Sequence, residues 1–185
     1  KVLKGFDGIV IIDEAYADFT RLQTFRERIS EFPNIIVLNT FSKAWASAAI
    51  RLGVVYAQEA IINIFNKVSS PYHISQLTQE QGLDALKHRY DIDDWIKILL
   101  LERKRMILAF ESLACCEKVY PSNANFFLAK MKDAQSVYDY LCEKGIHVRE
   151  CSNVSLCGNC LRITIGSKAE NAEILGILRY YKPTK

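Results

Sequence analysis

The sequence predicts an α/β protein built as two units, and three observations carry that expectation. Short β-branched runs alternate with segments of helical apolar period through the first half of the chain. Acidic, hydroxyl and basic residues gather just beyond the ends of those runs. After residue 113 the texture changes to strand, helix, strand, strand, helix.

Taken in order, "FDGIVII" over 6–12 is a nearly unbroken apolar run, which reads as a buried strand ending at the pair Asp13 and Glu14. Residues 22–29 read as a helix, "PNIIVLNT" gives a strand over 35–38, and "RLGVVYA" gives another over 52–57. Helical patterns follow over 58–68, 75–86 and 92–113. In the last of these, Trp95, Ile98, Leu99, Met106 and Phe110 recur at helical spacing and are expected in a core or bridging two domains. Pro121 and Ser122 open the second unit. Its strands are expected over 125–131, 146–150 and 161–165, and its helices over 134–144, with Gly145 as the stop, and over 168–180. The expected division is the end of a larger α/β domain over 1–91, a connecting helix over 92–113 and a smaller α/β domain over 114–185.

Composition narrows the function classes. Of 185 residues half are hydrophobic and 24% charged, the balance of a soluble globular protein. A net charge of +3, evenly spread, argues against nucleic acid as a partner. No apolar run reaches the length of a membrane span and no secretory segment opens the chain, so the cytoplasm is the expected location. Reduced thiols are then expected at Cys115, Cys116, Cys142, Cys151, Cys157 and Cys160. "LCGNC" is a single CxxC. Cys151, Cys157, Cys160 and His147 are the zinc or redox alternative, but the second half of the usual paired spacing is absent. Cysteines acting as small hydrophobes are the simpler account, and no metal site is assigned.

The chemistry lies at the strand ends. "VIIDEAYADF" sets Asp13 at the end of the first strand and Tyr16 one turn later; alone, they read as a helix cap and a packed phenol. "NTFSKAWASAAIRLG" then sets Ser42 and Lys43 at a neighbouring strand end and Arg51 just before the third strand. Small and apolar residues surround Lys43, a setting that lowers an amine's pKa by desolvation and prepares it for covalent chemistry. A Schiff-base lysine, an acid for a pyridinium nitrogen, a phenol for a ring oxygen and a Ser/Arg pair for a phosphate together describe a pyridoxal phosphate pocket. Lys43 as a free amine would be its general base.

"DEAYADF" followed by "TFSKAWASAAIRLG" resembles the fold-type I pyridoxal-phosphate-dependent transferases, class-II aminotransferases, and within them the histidinol-phosphate aminotransferase family. "PSNANFFL" and "CLRITIG" are similar to that family's small domain in order and spacing. The resemblance implies pyridoxal 5'-phosphate as cofactor, with Lys43 as its covalent anchor, Asp13 at the ring nitrogen and Tyr16 at the ring oxygen. It implies Ser42 and Arg51 at the phosphate and Arg162 at the substrate's α-carboxylate. Glutamate, 2-oxoglutarate and an amino-phosphate are the implied small-molecule partners, in a homodimer.

Other members of the superfamily, an aromatic aminotransferase or threonine-phosphate decarboxylase, are the alternatives. Ala46 departs from the glycine often found there, which matters only if the backbone needs a positive φ. The chain also reads as the C-terminal portion of such an enzyme. The family's N-terminal half supplies a phosphate loop, a ring-stacking aromatic, an asparagine and a tyrosine lent by the neighbouring subunit. None of these is expected here, so the chain alone is expected to be weakly active or inactive.

Overall fold

A computed structural model of the protein describes residues 2–182. Two compact units divide it, Lys1–Asp94 and Trp95–Lys185, and the division falls within one long helix.

The first unit is built on three strands. After a short helix α1 (Val2–Gly5), strand β1 (Val10–Asp13) pairs in parallel with β2 (Ile35–Thr40), and β3 (Gly53–Ala57) runs antiparallel on the far side of β2. Asp13 lies opposite Leu38, and Thr40 opposite Gly53. The carboxyl ends of β1 and β2 and the start of β3 therefore meet at one end of the sheet. Ile35 and Val37 are fully buried and pack with Phe32, Val10, Ile12 and Ile29 in a small core.

Two expectations need correction here. β1 is four residues long, and Ile11 is 62% exposed, so the described residues cover only one face of a strand whose sequence suggested burial on both. The helix expected over 22–29 is instead a 3₁₀ segment, Phe25–Glu31. Buried Glu14 accepts from the Phe25 N–H at 2.7 Å and from the Thr24 hydroxyl, which pins the segment's start. Its end is set by Pro33, which holds Phe32 extended.

Helices α2 (Glu59–Val68) and α3 (Gln76–Lys87) follow, α3 capped where the Ser75 hydroxyl accepts from the Thr78 N–H at 3.1 Å. The long helix α4 (Arg89–Glu111) carries fully buried Met106 and Phe110 into the second unit's core, with Leu99 against it. Trp95 and Ile98, at 58% and 50% exposed, depart from the stripe expected to be covered. No helix among the described residues is long and apolar enough to cross a membrane.

The second unit holds an antiparallel sheet in the order β4-β5-β7-β6, comprising β4 (Cys116–Val119), β5 (Phe126–Met131), β6 (Arg149–Glu150) and β7 (Cys160–Thr164). β4 escapes sequence reading because it is a short edge strand in which only Val119 is buried. α5 (Ala134–Glu143) and α6 (Lys168–Arg179) pack on the sheet, burying Val137, Leu141, Ile174, Leu175 and Leu178 against Phe127, Met131, Leu161 and Ile163. Phe110 and Phe127 meet edge to face at 5.0 Å, worth about 0.5–1.5 kcal/mol beyond the area they bury. α5 stops at Gly145, whose φ of 77° lets the Ile146 N–H reach the Leu141 carbonyl at 2.9 Å.

A polar knot joins buried Asn171 and Glu102 to Arg105 at the surface. The Asn171 side chain, 2% exposed, donates to Glu102 and to the Gly166 carbonyl, each at 3.0 Å, and accepts from the Gly166 N–H at 3.0 Å. Glu102, 6% exposed, also binds the Arg105 guanidinium at 2.7 Å. These bonds hold the Glu102 carboxyl below its usual pKa, the Arg105 bond contributing most.

Candidate active site

Asp13, Tyr16, Ser42, Lys43 and Arg51 stand at the end of the first unit's sheet where β1 and β2 finish and β3 begins. Asp13 closes β1, and its carboxylate accepts from the Ala15 N–H at 2.9 Å, which fixes the acid at the strand end. Tyr16 follows in the same turn. The Lys43 ammonium, arriving from the next strand, lies 5.4 Å from the centre of the Tyr16 ring.

The segment between β2 and β3 is stapled to itself. The Ser42 N–H donates to the Thr40 hydroxyl at 3.0 Å, and that hydroxyl donates to the Leu52 carbonyl at 3.3 Å. The Phe41 N–H reaches the Leu52 carbonyl at 3.1 Å and the Ser47 N–H reaches the Phe41 carbonyl at 3.0 Å. Phe41 and Trp45 stack at 5.1 Å. Ser42 and Lys43 are thus presented by a fixed turn, and Arg51 donates to the Ala48 carbonyl at 3.0 Å on the way back to β3.

Lys43 is exposed, which corrects the expectation of a desolvated amine within this chain. The small residues around it leave the amine open because alanines build no wall.

Two non-glycine residues of this segment, Ala46 with φ 50° and Arg51 with φ 54°, adopt the left-handed conformation. Each costs on the order of 1 kcal/mol. Such strain collects where side chains are held for function. Ala46→Gly relieves it and is expected to raise stability by about 0.5–1 kcal/mol, read as a higher urea midpoint at unchanged slope. A lower midpoint would contradict the left-handed assignment.

Arg162 belongs to the second unit, in the middle of β7. Its guanidinium carbon lies 4.9 Å from the centre of the Phe126 ring, and its buried Nε has no hydrogen-bond acceptor among the described residues. Directly across the ladder from it, on β6, stands Arg149. Opposed residues of an antiparallel pair share a face, so two like charges sit side by side, an arrangement that destabilises a sheet by roughly 0.2–1 kcal/mol. An anion held between them reverses that sign. Nothing in the sequence singled out Arg149, because the thirteen-residue separation from Arg162 acquires meaning only once the β6–β7 register is known.

All six cysteines are free, and Cys115, Cys151 and Cys160 are buried. Burial pushes the Cys115 and Cys160 thiols above their usual pKa and takes Cys116 to about 11, so these three are poor nucleophiles at neutral pH. His147 lies beside Cys142, Nδ1 to Sγ 3.8 Å. Among the described residues no group of three or more His, Cys, Asp or Glu side chains is arranged to hold a metal ion.

A sheet with an acid, a phenol, an amine and a guanidinium at one end is followed in the chain by a small antiparallel α/β unit, the order expected of a transaminase. Comparison with known proteins makes the assignment definite: the model of the family "aminotransferase class I and II" matches residues 1–178, and the chain belongs to that family. A histidinol-phosphate aminotransferase of Bacteroides fragilis is 48% identical over 182 residues, 98% of this chain and 53% of that protein. The crystal structure of the histidinol-phosphate aminotransferase from Clostridium acetobutylicum superposes with a TM-score of 0.88 over 96% of this chain and 56% of that one, at 24% identity, a likeness of fold. The L-threonine-O-3-phosphate decarboxylase from Porphyromonas gingivalis gives 0.80 over 91% of this chain and 53% of that one, at 25% identity. The chain thus spans about half the length of the curated relatives it matches.

Proposed function

We propose that this chain carries the lysine-bearing part of a pyridoxal-phosphate-dependent aminotransferase. Its reaction would be L-histidinol phosphate and 2-oxoglutarate giving imidazole-acetol phosphate and L-glutamate, a step of histidine biosynthesis, in an enzyme working as a homodimer. The observation that supports the reading best is the meeting of Asp13, Tyr16, Ser42, Lys43 and Arg51 at one end of one sheet, with Lys43 against Tyr16. That donor set fits the cofactor group by group: a carboxylate for a protonated ring nitrogen, a phenol for the ring oxygen, a hydroxyl and a guanidinium for the phosphate, an amine for the aldehyde. The 48% identity to a histidinol-phosphate aminotransferase supports the substrate.

Pyridoxal phosphate, when bound, supplies the electron-withdrawing ring that acidifies the substrate's Cα–H and carries the amino group between the two half-reactions. The Asp13 carboxylate would hold the proton on the ring nitrogen, and Tyr16 would donate to the ring oxygen. Ser42 and Arg51 would fix the phosphate, Arg51 through several planar donors. Lys43 Nζ would anchor the aldehyde carbon and, once released as a free amine, take the proton from Cα and return it on the other side of the transfer. Arg162 would bind the anion next to Cα, a carboxylate in glutamate and a phosphate in histidinol phosphate, with Arg149 beside it.

Arg162→Ala, in a protein of the relatives' full length that carries this chain, is expected to raise KM for glutamate about 10- to 100-fold through the loss of a charge-assisted contact. Steady-state kinetics over a glutamate series reads this. An unchanged KM would remove Arg162 from the substrate site. The decarboxylase alternative draws on a structural likeness at 25% identity. Carbon dioxide release from a phosphorylated amino acid, without transfer to 2-oxoglutarate, would favour it.

A further inference from the structure

We propose that Phe126 is the positioning residue of Arg162: its ring is the platform that orients the guanidinium toward a substrate carboxylate or phosphate. Ser122 and Arg103 hold that platform in place. The inference rests on the reading of Arg162 as the substrate-anion binder and adds the device that aims it.

The register comes first. Arg162 pairs across the ladder with Leu128, so Phe126 stands one same-face step along β5, a diagonal that an aromatic side chain spans. The guanidinium carbon accordingly lies 4.9 Å from the ring centre. The buried Nε without an acceptor then has a physical account. The ring face shields that donor from water while its quadrupole still attracts the cation.

An arginine on an open sheet face samples many rotamers and loses that freedom when it binds. One already stacked on a ring has lost much of it beforehand. The near charge of Arg149 makes the constraint more necessary, because repulsion would otherwise swing the two guanidinium groups apart.

The main chain that carries the ring is itself hydrogen-bonded. The Ser122 hydroxyl donates to the Phe126 carbonyl and accepts from the Ala124 N–H at 3.1 Å. From α4, Arg103 donates to the Ala124 carbonyl at 2.7 Å. The Asn125 carbonyl accepts from the Ile165 N–H at 2.9 Å, which locks the start of β5 to the end of β7. The carbonyls of Ala124, Asn125 and Phe126 are thereby each hydrogen-bonded, and the partly desolvated Arg103 supplies the donor to the one two residues from the ring. Phe126 lies on the sheet face opposite buried Phe127 and Ala129.

The test is a titration of the 185-residue chain, labelled with nitrogen-15, by inorganic phosphate at constant ionic strength, following the Arg162 Nε–H signal assigned by its loss in Arg162→Lys. The wild-type signal is expected to move and saturate. Phe126→Leu is expected to weaken phosphate about two- to fivefold, the change that an exposed cation–π contact represents, while Phe126→Tyr titrates as the wild type. Ser122→Ala keeps the ring but loosens its main chain, and is expected to weaken phosphate by a smaller factor. Thermal midpoints of all variants separate positioning from folding. Phe126→Leu binding phosphate as the wild type does, or Phe126→Tyr failing to rescue, overturns the inference. A wild-type Arg162 signal indifferent to phosphate overturns instead the anion-binding reading beneath it.

Discussion

Lys43→Ala is expected to lower the rate of amino-group transfer by about 10²–10⁴-fold, measured as glutamate formed in a protein of the relatives' full length that carries this chain. The loss has two sources, the covalent anchor and the proton carrier at Cα, and both reside on one nitrogen. Lys43→Arg separates that nitrogen's charge from its chemistry. Arginine keeps the cation near Tyr16 but stays protonated and cannot serve as a base, so the same loss is expected. Activity in Lys43→Arg close to the wild-type rate would mean that the position supplies only charge, and the proposed reaction would fall with it.

The largest effect on stability is expected at Asn171. Asn171→Leu keeps the branched heavy-atom outline but strips one donor from the buried Glu102 carboxylate and leaves the Gly166 N–H and carbonyl without their partner. A buried group left unsatisfied costs about 1–3 kcal/mol. Against a whole stability of about 5–15 kcal/mol for a domain, that is a large fraction. The urea midpoint of the second unit is expected to fall accordingly, while the first unit's own transition stays where it is. A loss of less than about 1 kcal/mol would mean that water replaces the amide.

The same knot sets an acid dependence. The folded-state pKa of Glu102 is depressed below its ordinary 4.5, by the Arg105 bond first and the Asn171 bond second. Its contribution is therefore full above 4.5 and is lost as the pH falls through the lower folded value. Asn171→Leu removes the second cause, so part of this acid-side loss is expected to disappear in the variant.

How much of this was legible in the sequence differs by element. β2, β3 and β5 announced themselves because β-branched and aromatic residues cluster there, and α5 and α6 because their caps and apolar period agree. β4 did not, because an edge strand of alternating charge buries too little to leave a pattern. The helix expected over 22–29 became 3₁₀ through Glu14, a partner eleven residues upstream of Phe25 that no local window contains. At the candidate site, Asp13, Tyr16, Ser42, Lys43 and Arg51 were found from strand-end logic and resemblance. The left-handed backbone at Ala46 and Arg51 and the cross-strand partnership of Arg149 with Arg162 needed coordinates. Open exposure of Lys43 ran against its apolar setting because small neighbours desolvate nothing by themselves.

The most direct test of the central claim, that Lys43 is the cofactor's lysine, is to add pyridoxal phosphate to a protein of the relatives' full length that carries this chain, reduce with borohydride and locate the modified lysine by peptide mass. Modification concentrated on Lys43 and lost in Lys43→Ala is the predicted result. Modification spread over the surface lysines, with Lys43 no more reactive than the rest, would contradict it.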